Sequence, residues 1–264
     1  MEKLPAATGW QWIRQGFALF RKQPAEMSTL FLSYMFLMMI LPIIPVVGQI
    51  LPLLLIPVFS MAFMQACVKI GKGERVYPNL LLTGFRSAGF SRLLWLGLLY
   101  VCAATLAIGA STLVDGGVFW KVMAGSARVD AETMRHSNIR MAMLVSGLLY
   151  VPAAMAFWYA APLIAWQNMG IVKALFYSFH AVRRAGRAFL LYGLGWGLLG
   201  VLFPLLLSTV LGWITGSPTL MIVVLLPLSM VLTVVMYCSF YPSYTTVFGE
   251  PSDAAQEPVR QKDR

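Results

Sequence analysis

Charge is what this sequence has least of. Only 11% of its 264 residues are Asp, Glu, Lys or Arg. Residues 27–68, 93–114, 141–172 and 188–249 contain none of these and no His. A helix needs about 20 apolar residues to cross a bilayer. The second and third stretches each fit one crossing. The first and last each fit two, which predicts six transmembrane helices. Hydrophobic residues make up 59% of the chain, which excludes a separate soluble domain. The longest polar stretch between spans, residues 114–140, is too short to build a core of its own.

Other absences narrow the chemistry. There are 3 cysteines, Cys67, Cys102 and Cys238, all in or beside spans and none in a CxxC pair. They read as small packing residues, with no disulfide framework. The 2 histidines, His136 and His180, fall on opposite sides of the membrane, so they make no metal pair. No ionisable side chain lies inside a span, which counts against ion-coupled transport and voltage sensing. No HExxH, GxSxG or P-loop pattern occurs, and Gly71-Lys72-Gly73 reads only as a turn. Glu132 and His136 stand four apart and read as a surface pair. No catalytic, metal or cofactor residue is assigned, and no enzymatic activity is expected. No small-x-small site ends the first apolar run, so the first span is expected to be an uncleaved signal anchor.

The charges that are present sort by side. With spans near residues 28–46, 49–69, 93–113, 141–166, 188–212 and 219–247, one side carries 16 of the 20 basic residues. These lie in the lead (Lys3, Arg14, Arg21, Lys22), in two loops (Lys69, Lys72, Arg75, Arg86 and Arg92; Lys173, Arg183, Arg184 and Arg187) and in the tail (Arg260, Lys262, Arg264). The other side holds Lys121, Arg128, Arg135 and Arg140, diluted by Asp115, Asp130 and Glu132. The positive-inside rule then puts both termini in the cytoplasm. The chain divides into a cytoplasmic amphipathic lead (residues 1–27), one six-helix membrane domain (28–249) and a cytoplasmic tail (250–264). Residues 45–48 and 215–218 predict tight outer hairpins. Asp115-Gly116-Gly117 predicts a turn, followed by a short headgroup-lying segment at Phe119, Trp120, Val122 and Met123. Asp130 is placed to cap a helix running into the fourth span.

Three segments on the basic side look alike. Gly16-Phe17 with Arg21-Lys22 precedes span 1, Gly84-Phe85-Arg86 precedes span 3, and Ser178-Phe179 with Arg183-Arg184 precedes span 5. The fold class expected is therefore all-α and polytopic. Its six transmembrane helices form three helix hairpins of the same orientation, each preceded by a cytoplasmic amphipathic segment. In the first segment Trp10, Ile13, Phe17 and Phe20 share a helical face. In the third, Val172, Leu175, Phe176, Phe179 and Val182 do, with Lys173, Tyr177, His180, Arg184 and Arg187 opposite. Such helices lie in the interface and attract anionic headgroups.

The opening Gly9-Trp10-Gln11-Trp12-Ile13-Arg14-Gln15-Gly16-Phe17-Ala18-Leu19-Phe20 resembles that of an uncharacterised family of proteobacterial six-helix inner-membrane proteins. Gly84-Phe85-Arg86 and Asp115-Gly116-Gly117 fit the same family. The likeness covers nearly the whole chain and implies a bacterial inner-membrane location, with no activity or site attached. More distantly, Ala174-Leu175-Phe176-Tyr177-Ser178-Phe179 resembles a segment of the membrane domain that some bacterial glycerophosphodiester phosphodiesterases carry. No phosphodiesterase catalytic domain accompanies it here.

Prolines at 42, 52, 57, 152, 162, 204, 227 and 242 lie in or near spans and predict kinks. Gly193 and Gly197 form a small-xxx-small pair for helix packing, within the chain or between copies. Gln49 and Gln65 are the strongest polar groups of span 2. Together these features imply a non-enzymatic membrane protein that binds lipids or membrane partners through Arg21, Lys22, Lys173, Arg183, Arg184 and Arg187. The alternative is an uncoupled transporter of an apolar or amphiphilic small molecule, with its cavity between kinked spans. Expected partners are membrane lipids, anionic ones among them, and a second copy or another membrane protein. Nucleic acid is not expected, since the charge of +10 is accounted for by topology.

Overall fold

The computed structural model describes residues 4–44, 48, 50–126 and 137–251. The described residues are helical, with no strand among them. In chain order the helices are α1 (Ala7–Lys22), α2 (Pro24–Ile40), α3 (Leu51–Gly71), α4 (Phe90–Asp115), α5 (Val118–Met123) and α6 (Ile139–Phe157). They continue as α7 (Ala160–Trp166), α8 (Ile171–Arg184), α9 (Gly186–Gly197), α10 (Phe203–Thr215) and α11 (Pro218–Phe248). Six helical stretches are long and apolar enough to cross a membrane: Pro24–Ile43, Leu51–Gly71, Phe90–Asp115, Ile139–Trp166, Gly186–Thr215 and Pro218–Phe248. Each lies within a few residues of its expected span. The 45–47 turn residues, Gln49, Asp130, Glu132, His136, Arg128, Arg135, Lys3 and the tail cations fall outside the described residues.

Proline chemistry explains where two spans are interrupted. Pro162 has no N–H to give the Trp158 carbonyl, and its ring crowds that carbonyl. The fourth span accordingly breaks between α6 and α7, at Trp158 and Tyr159. Pro204 likewise leaves the Gly200 carbonyl without its helical donor, and the fifth span widens to a π turn at Leu198–Leu202. At Asp115-Gly116-Gly117 the two glycines take positive φ of 67° and 90°. The Asp115 carboxylate accepts from the N–H groups of Gly117 at 2.9 Å and Phe119 at 2.6 Å, which starts α5.

Burial is uneven along the spans. The core gathers at the end that carries the basic loops, where α1, α3, α7, α8 and the second half of α11 meet. Phe31, Tyr34, Phe63 and Tyr237 form its aromatic centre. Phe63 and Tyr237 stack at 4.3 Å with 16° between planes. Lipid is as apolar as these rings, so the gain comes from dispersion and ring geometry rather than from water exclusion, about 0.5–1.5 kcal/mol per aromatic pair. Towards the opposite end the helices separate. α10 has no buried residue, and α11 has none before Leu232. α4 packs along α3 and α6, whereas α2 touches α3 only lightly.

α1 differs from its expected seating. Its buried face is Gly9, Trp12, Ile13 and Gly16, and Trp10 is 43% exposed. That face is set into the bundle against α9 and α11. A Cβ on Gly9 would strike the Ala188 carbonyl, and one on Gly16 would strike the Ser239 backbone. The glycines let two backbones approach, and Trp12 fills the space beside them, donating its indole N–H to Thr246 Oγ1 at 3.1 Å. Reading by large apolar residues alone misses this face, because glycine scores as neither apolar nor polar.

Candidate functional site

Two features of the bundle are chemically distinctive. The first is its basic end. Arg21 and Lys22 close α1, Lys173, Arg183 and Arg184 lie on α8, and Arg187 opens α9. All six are exposed. None meets a carboxylate among the described residues, in contrast with Lys69, which pairs with Glu74 at 3.2 Å. Lys173 instead lies 5.8 Å over the Tyr177 ring.

α8 presents its apolar residues in two directions. Ala174, Ser178, Ala181 and Val182 face the bundle. Val172, 82% exposed, and Phe176, 60% exposed, point away from it. Of the five apolar residues expected on one face, only Val182 is buried. Leu175 and Phe179 are half-buried. Small residues seat the helix, and large ones are left outside beside the cations.

Ser178 is fully buried and sits at the break of the fourth span. Its hydroxyl accepts from the Tyr159 N–H at 2.9 Å and donates to the Met155 carbonyl at 2.9 Å. Those two backbone groups would bond each other in an unbroken helix, so the hydroxyl is inserted into an opened helical bond. Tyr100 donates to the Phe157 carbonyl, two residues further on, at 3.1 Å. Two further ties hold the loops of the basic end. Gln23 donates to the Glu74 carbonyl at 2.7 Å and accepts from the Val76 N–H at 3.1 Å. Arg92 donates to the carbonyls of Asn168 at 3.1 Å and Met169 at 3.0 Å, and to the Asn168 side chain. The sequence marked Gly16, Gly84 and Ser178 as repeat positions without their role. Each proves to be a small residue pressed on the backbone of another helix: Ser239, Val58 and Met155 respectively.

The second feature is a cavity of about 320 Å³ between α3, α4, α6, α7 and α11. Phe63, Tyr100, Phe157, Trp158, Tyr237 and Phe240 supply its aromatic wall, and no charged side chain lines it. It lies near mid-span, since Phe63 is about 12 Å along α3 from Gly71 at 1.5 Å per residue.

The remaining sequence candidates fall outside both features. A Cβ on Gly193 or Gly197 would meet nothing within 4 Å, and the close approach on this span is at Gly195, against Ile13 and Trp10. Gln65 is buried with its Oε1 unpartnered. Cys67 and Cys238 are buried neighbours, the Cys67 thiol lying 3.9 Å from the Cys238 carbonyl. Among the described residues no group of three or more His, Cys, Asp or Glu is arranged to hold a metal ion.

The chain is 39% identical over 269 aligned residues to a probable inner membrane protein of Burkholderia thailandensis, covering 99% of this chain and 98% of that one. No family model and no solved structure matches it. With six apolar spans, this makes it a multi-pass transmembrane protein of the inner-membrane type.

Proposed function

Since the chain belongs to the same family as that probable inner membrane protein, we propose that it is a non-enzymatic membrane protein that binds anionic lipid at its basic end. The supporting observation is the surface of α8. Exposed Arg183, Arg184 and Lys173, with Arg187 next in sequence, have no acidic partner among the described residues, and they stand beside the outward-facing Val172 and Phe176. Apolar side chains enter the acyl boundary while the cations meet headgroup phosphates. In this reading the basic end is cytoplasmic, as the positive-inside rule requires, and both termini lie there. In this reading the three hairpins are repeats of one unit, each led by a segment at the basic end, the first of them seated in the bundle. Gln23–Glu74 and Arg92–Asn168 tie the first two hairpins at the entry and exit of each. The distant likeness to a phosphodiesterase membrane domain is kept as a likeness of one segment, without its activity.

Each cation near an anionic surface contributes about 1 kcal/mol. Replacing Arg183, Arg184 and Arg187 with Gln removes on the order of 3 kcal/mol at low salt, an upper bound because the charges are coupled. The expected result is loss of co-purifying anionic lipid, measured by mass spectrometry per mole of folded protein. Equal anionic lipid on wild type and variant would leave these residues a topological role only. The cavity supports a second reading, uncoupled passage of an apolar molecule between the kinked spans.

A further inference from the structure

The cavity is built from equivalent positions of the repeated unit. A shift of 94 residues lays Leu55 on Leu149 and continues without a gap to Phe85 on Phe179. Met61, Ala62 and Phe63 then coincide with Met155, Ala156 and Phe157, and Gly84 coincides with Ser178. The same shift relates the cavity walls. Ile56 pairs with Tyr150, Ser60 with Ala154, Phe63 with Phe157 and Met64 with Trp158, and all eight residues line the one cavity. Two copies of one helical pattern thus face each other across it, with α11 closing the third side. Membrane proteins built from repeats place their ligand near the midplane where the repeats meet.

The walls decide what fits. The hydroxyls of Ser60, Tyr100 and Tyr159 are already given to the carbonyls of Pro57, Phe157 and Ser243. No charged group faces the space, and beyond these the wall offers only the Tyr150 and Tyr237 hydroxyls and the Trp158 indole N–H, so a charged or strongly hydrated solute would lose most of its hydration. The volume stands at the low end of the roughly 300–1,000 Å³ typical of ligand sites, which favours one slender chain over a folded amphiphile. The wall also runs into the lipid-facing surface at Ile56, itself 39% exposed. The bilayer's own hydrocarbon therefore reaches the opening without crossing water.

We propose that this cavity holds one acyl chain of a membrane phospholipid, entering sideways from the bilayer. The proposal deepens the lipid-binding reading and rests on it: the basic end selects headgroup charge, and the cavity takes the chain. Moving a chain from lipid to this site gains no hydrophobic energy, only packing against the rings. Residence is therefore short, and proximity rather than affinity is the measurement.

The test uses vesicles of phosphatidylcholine carrying a mid-chain diazirine, with labelled residues mapped by mass spectrometry. Wild type is expected to be labelled within Tyr150, Ala154 and Phe157, and on the lipid-facing helix α10. Ala154→Trp, which fills the cavity, loses the first set and keeps the second. Ser60→Leu, on the opposite wall, does the same and stands in should Ala154→Trp not fold. The headgroup is zwitterionic, so the Arg183, Arg184, Arg187 to Gln variant keeps cavity labelling whether or not the anionic-lipid reading survives. Labelling confined to α10 in wild type, or cavity labelling unchanged in a folded cavity-filling variant, would overturn the proposal.

Discussion

Removing the Ser178 hydroxyl tests whether a side chain holds the fourth span open. Ser178→Ala takes away both the acceptor of the Tyr159 N–H and the donor to the Met155 carbonyl. Side-chain hydrogen bonds between membrane helices average about 0.6 kcal/mol, so two give about 1.2 kcal/mol. An orphaned buried donor costs about 1–3 kcal/mol, which sets the upper limit. The two backbone groups could regain their loss by bonding each other, straightening the break. Two facts oppose this. Pro162 still denies a donor to the Trp158 carbonyl. The residues that would have to turn, Ala160, Leu163 and Ile164, are fully enclosed. The expected loss is therefore about 1–3 kcal/mol, read from reversible unfolding in mixed mild-detergent and dodecyl-sulfate micelles. The Tyr159 amide is expected to exchange its proton faster. Ser229→Ala is the control, since that exposed hydroxyl only bonds back to Leu226 at 2.9 Å within its own helix, and its change stays within about 0.5 kcal/mol. A Ser178→Ala protein as stable as the control, with Tyr159 exchange unchanged, would show that the break is set by Pro162 alone.

Two further predictions rest on the packing of α1 and on the distribution of charge. Gly16→Val and Gly195→Leu displace α1 from α11 and α9 at about 1–3 kcal/mol each, making the bonds after Arg14 and Arg21 accessible to trypsin, whereas Gly193→Leu, with open space around it, leaves digestion unchanged. A C-terminal fluorescent-protein fusion is expected to be bright and an alkaline phosphatase fusion silent, and the reverse pattern would sink the cytoplasmic assignment.

The six spans were legible in the sequence because a bilayer imposes one blunt rule, a long run without charge, that needs no partner to be read. The same holds for the Asp115-Gly116-Gly117 turn, whose signal is local. Seating was less legible. The large residues of α1 point to another face, since its contact is made by Gly9 and Gly16, whose value lies in what they lack and shows only when Ala188 and Ser239 are in place. Ser178 carries a repeat signature without a role, since its partners Tyr159 and Met155 lie 19 and 23 residues away in the chain and meet it only in the fold. For the cavity the sequence offers only the prolines that kink the spans. Its walls come from α3, α4, α6, α7 and α11, and no local pattern announces that these helices meet.

The seat of α1 also bears on how the chain is made. Translation delivers α1 long before α11, yet Trp12 bonds to Thr246 and Gly16 rests on Ser239. The glycine face of α1 therefore stays uncovered until α9 and α11 have been made, while the spans between insert. Membrane insertion can proceed hairpin by hairpin, but the seating of α1 waits for α11. A chain halted before α11 leaves its N-terminus with no seat. The seat of α1 is thus a late event of folding: it forms only when helices more than 170 residues further along the chain have been made and have come back beside it.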